Sequence, residues 1–108
     1  MEECTYIANS GVKRVLYGKP RGHKHNRLVL ELSDGKTLVF SEATVANIVR
    51  AYITVHTHPV RRAVELVAAT PPDRKPGYAE HQLLESAAGE KVEEELQKIV
   101  DKCSKIIS

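Results

Sequence analysis

Apolar and polar positions alternate most cleanly at Leu28-Val29-Leu30-Glu31-Leu32. That period of two predicts a β-strand with Leu28, Leu30 and Leu32 on one face. Asp34-Gly35 follows, and this pair suits the positive-φ positions of a two-residue type I′ turn. Residues 36–40 are therefore expected to return antiparallel, with Leu38 and Phe40 joining the same core face and Val29, Val39, Arg27 and Glu31 on the other. Residues 12–17 are β-branched and aromatic and stop at Gly18 and Pro20, which predicts an earlier strand. If Val12 and Leu16 face the core, Lys13, Val15 and Tyr17 fall on the opposite face. Residues 5–8 predict a further, short strand.

The period changes after the hairpin. Ser41 suits an N-cap and Glu42 a first helical turn. Val45, Ile48, Val49, Tyr52 and Val55 or His56 then recur at steps of three and four, which predicts an amphipathic helix. Residues 52–58 also alternate and are rich in β-branched side chains, so a fourth strand stays open there, although the continuous period favours helix. Pro59 ends that segment and suits the start of a helix over 60–69. Residues 70–77, TPPDRKPG, form a stiff linker. Residues 78–88 and 90–107 are expected as helices, or as one helix interrupted at Gly89. Within them Val92, Leu96, Ile99, Cys103 and Ile106 make a heptad seam flanked by Glu93, Glu94, Glu95, Lys98 and Lys102, a candidate dimerisation surface.

The expected class is α+β: a small antiparallel β-meander of three to four strands packed against helices, with a heptad-like C-terminal helix and no OB fold. Residues 1–88 are expected to form a single binding domain. Residues 89–108 form a helix that packs on the core or begins a coiled-coil dimerisation segment.

Composition narrows this picture. A chain of 108 residues with 42% apolar and 28% charged side chains fits one globular domain. No run approaches the roughly eighteen apolar residues of a membrane span, and the first residues do not resemble a signal peptide, so a cytoplasmic setting is expected. Cys4 and Cys103 lack CxxC spacing. Reduced thiols are the first expectation for them, and a bond joining the two ends is the alternative. Five Asn and Gln residues and one Met, beside abundant charge, hint at a thermophilic source.

Charge is unevenly spread. Residues 1–62 hold ten Lys/Arg and five Asp/Glu, whereas residues 63–108 hold six and nine, so net charges of +5 and −3 make up the overall +2. The basic surplus concentrates at 12–27, VKRVLYGKPRGHKHNR, where Lys13, Arg14, Lys19, Arg21, Lys24 and Arg27 stand with His23 and His25 and no acid. Such a run is often only a solvated loop. Its position between strands, next to Tyr17, favours binding of a polyanion. Single-stranded nucleic acid is held by cation-lined grooves with aromatic stacking platforms. Tyr17 is the first candidate platform, and Tyr78, beside Arg74 and Lys75, is the second. Phe40 and Tyr52 read as core.

The pairs His23/His25 and His56/His58 have a metal-ligand spacing. The first pair sits among cations and neither has a carboxylate at ligand spacing, so no metal is expected. No nucleophile motif, P-loop, dinucleotide fingerprint or acid cluster for Mg²⁺ is present, and neither enzyme activity nor a cofactor is expected.

A β-meander carrying GKPRGHKHNR, then helices, a Pro-rich linker and the heptad helix VEEELQKIVDKCSKI, resembles ThermoDBP, a family of single-stranded DNA-binding proteins of hyperthermophilic archaea. The resemblance is one of layout over most of the chain. It implies a non-OB α+β domain that binds single-stranded DNA in a basic and hydrophobic cleft, here the basic stretch with Tyr17. It also implies a dimer through the C-terminal helix, here the seam from Val92 to Ile106. RNA as the ligand, and a dimeric protein-interaction or regulatory module, stand as alternatives.

Overall fold

The computed structural model describes residues 4–60, 62–70 and 81–107. Its elements run in the order β1 (Thr5–Ile7), a 3-10 turn (Asn9–Gly11), β2 (Val12–Gly18), β3 (Arg27–Leu32), β4 (Thr37–Ser41), α1 (Glu42–Thr57), β5 (Val64–Ala69), β6 (Gln82–Ala88), α2 (Glu90–Lys102) and β7 (Lys105–Ile107). Among the described residues the class is α+β, with two helices and antiparallel sheets that include a three-stranded meander. The chain forms two compact units, Met1–Glu42 with Leu96–Ser108, and Ala43–Glu95.

The first unit is built on the meander β2-β3-β4. Leu28 pairs with Phe40 and Leu30 with Leu38, so these apolar residues share one face as the alternation requires. The turn differs from the expected type I′. Gly35 has φ 95°, but no residue other than glycine has positive φ among those described, which leaves Asp34 outside type I′ geometry. Instead Gly35 N–H donates to the Leu32 carbonyl (3.0 Å) and Leu32 N–H to that of Lys36 (2.9 Å). These bonds close a three-residue loop with glycine in the left-handed position. The Asp34 carboxylate helps by accepting from Lys36 N–H at 3.0 Å.

The facing of β2 also departs from expectation. Val12 pairs with Leu32, but Arg14 pairs with Glu31, which leaves Lys13 as an extra residue in a bulge. One inserted residue reverses the parity of everything after it. Val15 (opposite Leu30) and Tyr17 (opposite Leu28) therefore join the Leu30–Phe40 face. Leu16 (opposite Val29) joins Arg14, Arg27 and Val39 on the other.

The second sheet of this unit brings together residues a hundred positions apart. β1 pairs in parallel with β7, Tyr6 beside Ile106. Ala8 N–H donates to the Ile107 carbonyl (3.2 Å) and Ser33 N–H to that of Gly11 (2.8 Å). Gly11 lies so close to Ile107 that a Cβ there would fall on its carbonyl group. Leu32 and Ile107 are the buried side chains of the unit, at 3% and 6% exposure. Cys4 and Cys103 are joined by a disulfide with Cα atoms 5.0 Å apart, so the expectation of free thiols is overturned. Closing a loop of 99 residues disfavours the unfolded chain by about 4–5 kcal/mol in the chain-entropy account.

In the second unit α1 runs to Thr57, so residues 52–57 are helix and not strand. The helix ends before Pro59, whose missing N–H and steric demand stop it. Residues 64–69 and 82–88, expected within helices over 60–69 and 78–88, are instead the hairpin β5-β6, with Val67 opposite Leu84 and Leu66 opposite Glu85; residues 61 and 78–80, and 71–77 of the expected linker, lie outside the described residues. Pairing has overridden the modest helix preference of these segments. Ser86 is the extra residue of a bulge in β6, and its hydroxyl donates to the Glu65 carboxylate at 2.6 Å.

Gly89, at φ 95°, turns the chain into α2. Its N–H donates to the Ala63 carbonyl, and its own carbonyl accepts from Val92 and Glu93. Ala63 and Val92 are the buried pair here. α2 is shorter than expected and ends at Lys102. Val92, Leu96 and Ile99 lie on it, but Cys103 is bound to Cys4 and Ile106 belongs to β7. The heptad seam is therefore not continuous helix: its last two positions are spent on the disulfide and on the β1 pairing.

Candidate nucleic-acid interface

The basic stretch is carried by β2, the loop 19–26 and the start of β3. Pro20, Arg21, Gly22 and His23 form a turn in which His23 N–H donates to the Pro20 carbonyl at 3.1 Å. Gly22 takes φ 81° at its third position, as a type II turn requires. The loop's far end is tied down where Asn26 N–H donates to the Glu42 carboxylate at 2.6 Å. Between these anchors Lys19, Arg21, His23, Lys24 and His25 are all exposed. Among the described residues Lys19, Arg21 and Lys24 make no ion pair. Three like charges in one short loop repel one another.

Arg14 and Arg27 are engaged differently. Arg14 Nη2 donates to Glu31 Oε2 at 2.9 Å. That bond raises the arginine's pKa and holds the Glu31 carboxyl below its ordinary value, with Lys13 adding a smaller push in the same direction. The first acid after the stretch thus cancels one of its charges. Arg27 is half-buried and donates from Nη1 to the Asn26 carbonyl at 2.9 Å, which fixes its direction.

Beside the loop an open depression of about 300 Å³ is lined by Leu16, Tyr17, Gly18, Lys19, Pro20, Arg27 and Val29. It places cations against aliphatic and aromatic surface. Tyr17 is 54% exposed, yet it reaches this place at the end of the sheet and not by sharing a face with Lys13, because of the bulge. The expected strand face of Lys13, Val15 and Tyr17 does not exist as drawn. Leu16, which the alternation sent to the core, lines the depression instead, beside Val29, which was expected on the face of Arg27 and is found there. Only the parity change at Lys13 reveals Leu16, and nothing in the sequence marks it.

The second candidate group, Arg74, Lys75 and Tyr78, lies outside the described residues. Of the histidines, His56 Nδ1 is bonded to the Tyr52 carbonyl (2.8 Å) and its ring stacks on Tyr52, centroids 4.1 Å apart. Among the described residues no group of three or more His, Cys, Asp or Glu is placed to hold a metal. Val92 is buried, while Leu96 and Ile99 are about half exposed. No helix among the described residues is long and apolar enough to cross a membrane. Comparison of the chain with family models, curated proteins and solved structures finds no match.

Proposed function

We propose that this chain binds single-stranded DNA without sequence preference and without performing chemistry. The observation that supports this most is the loop 19–26: its exposed Lys19, with Arg27, lines a depression shared with Leu16, Tyr17 and Val29, and Lys19, Arg21 and Lys24 make no ion pair among the described residues. Charge alone would suit any polyanion. Apolar and aromatic surface next to it suits a strand whose bases are unstacked and free to lie against side chains. RNA satisfies the same description, since no group here is specific for a 2′-hydroxyl.

The ThermoDBP-like reading, a fold outside the OB class and a cytoplasmic setting belong to the same proposal. Disulfides are uncommon in the cytosol except in hyperthermophiles, so the Cys4–Cys103 bond is consistent with that resemblance. The test is oligonucleotide affinity as a function of salt. Binding should weaken with a log–log slope of about −0.7 per phosphate neutralised, and Lys24→Ala should reduce that slope. A flat salt response, or equal affinity for heparin and for DNA, defeats the reading.

A dimeric interaction module is the second reading. The half-exposed Leu96, Ile99 and Val100 on α2 favour it. A stable dimer in sedimentation by a chain that ignores oligonucleotides would select it over the first.

A further inference from the structure

The Cys4–Cys103 disulfide lies beside the pairing of the two shortest strands among the described residues. β1 and β7 are three residues each and make a two-stranded parallel sheet. Parallel pairs are less stable per residue than antiparallel ones, and isolated two-stranded sheets are marginal in water. This pair must in addition close a loop of 99 residues. Nonetheless it completes the core of its unit. Ile107 is buried, its carbonyl accepts from Ala8, and its backbone abuts Gly11, whose carbonyl in turn accepts from Ser33 at the head of the β3-β4 turn. By contrast the meander, α1 and the β5-β6 hairpin are closed by contacts between neighbours in sequence. They do not need the disulfide to find their partners.

We infer that the Cys4–Cys103 disulfide is a redox-operated clasp: a dithiol reductant releases β7 from β1 and opens the core beneath Leu32, while the meander and the second unit stay folded. Both cysteines are half-buried, so the bond is within reach of a small thiol. The chemistry is ordinary exchange. A thiolate of the dithiol attacks one sulfur and forms a mixed disulfide, and the other cysteine leaves as thiolate and takes up a proton. The second thiol of the reductant then displaces the remaining cysteine, which is also protonated. The protein gains two electrons and two protons, and the reductant departs as a cyclic disulfide.

Hydrogen–deuterium exchange of the full chain, untreated, treated with dithiothreitol and then reoxidised, tests the clasp. Reduction should cost peptides spanning 4–11 and 103–107 ~10-fold or more in protection, with 27–41, 64–69 and 82–88 little changed, because local opening leaves other cooperative units intact. Reoxidation should restore the original pattern. Cys103→Ser should reproduce the reduced pattern without reductant. The inference is overturned if exchange is the same in both states, or if reduction strips protection from every segment, which would make the bond a staple of the whole fold. It is also overturned if untreated protein, purified without reductant, titrates with two free thiols.

Discussion

The β2-β3-β4 meander and the β5-β6 hairpin are both antiparallel and each carries one bulge, yet they are held together by different means. In the meander the β3-β4 turn spans three residues and places Leu28 against Phe40 and Leu30 against Leu38, pairs that contribute through apolar contact across the strands. In the hairpin the strands are separated by the twelve residues 70–81. Closing that loop costs roughly 1 kcal/mol more than closing three residues. Each pair at the ladder's ends has one alanine, Ala88 and Ala87 opposite Val64 and Glu65, and Ala69 and Ala68 opposite Gln82 and Leu83, and an alanine buries little. The meander makes its own case for pairing. The hairpin depends more on what packs against it, including the helix whose Asn47, Ala51 and Thr54 line a small cavity with Val64, Leu66 and Leu83.

If that contrast is right, side-chain deletions should weigh unequally. Leu32→Ala removes a side chain that is 3% exposed and should lower the unfolding free energy by about 2–5 kcal/mol. Leu66→Ala, at a half-buried site in β5, should cost clearly less. Denaturant unfolding of the two variants checks this, and equal losses would remove the distinction. The next effect is in the turn. Gly35→Ala forces a side chain into φ 95° at a cost of about 1–2 kcal/mol. Its signature in amide spectra should be confined to the meander.

The smallest effect concerns pH. Glu31 is held below its ordinary pKa, first by the hydrogen bond from Arg14. The pair's contribution is therefore complete above the unfolded carboxylate value and is lost as pH falls through the lowered, folded value. Both partners are solvent-accessible, so the loss should be slight and further reduced by salt. An acid titration in which Glu31→Gln and the natural chain behave alike would remove it.

Legibility followed the same division. The alternation of residues 28–32 and 36–40 could be read because each apolar residue has a fixed side to face. The turn's position was evident from Asp34-Gly35, but its type was not, since Gly35 alone takes the positive φ. Residues 64–69 and 82–88, VELVAA and QLLESAA, consist largely of residues at home in helices, and only their pairing makes them strands. The regular spacing of Cys103 and Ile106 invited an extension of α2 that the disulfide and β7 replace. At the candidate site the charge of the stretch 12–27 was plain, because six cations without an acid need no fold to be noticed. The partners of that charge were hidden, because a single bulge at Lys13 decides whether Leu16 or Val15 stands beside Arg27.

The pairing of β1 with β7 also has a consequence in time. Tyr6 meets Ile106, so β1 waits during synthesis for a partner made a hundred residues later. At roughly 5–20 residues per second, that wait is roughly 5–20 s. The meander, α1 and the β5-β6 hairpin all have their partners available earlier. Synthesis therefore assembles the basic loop before β1 and β7 have met, and the first unit is completed after the second.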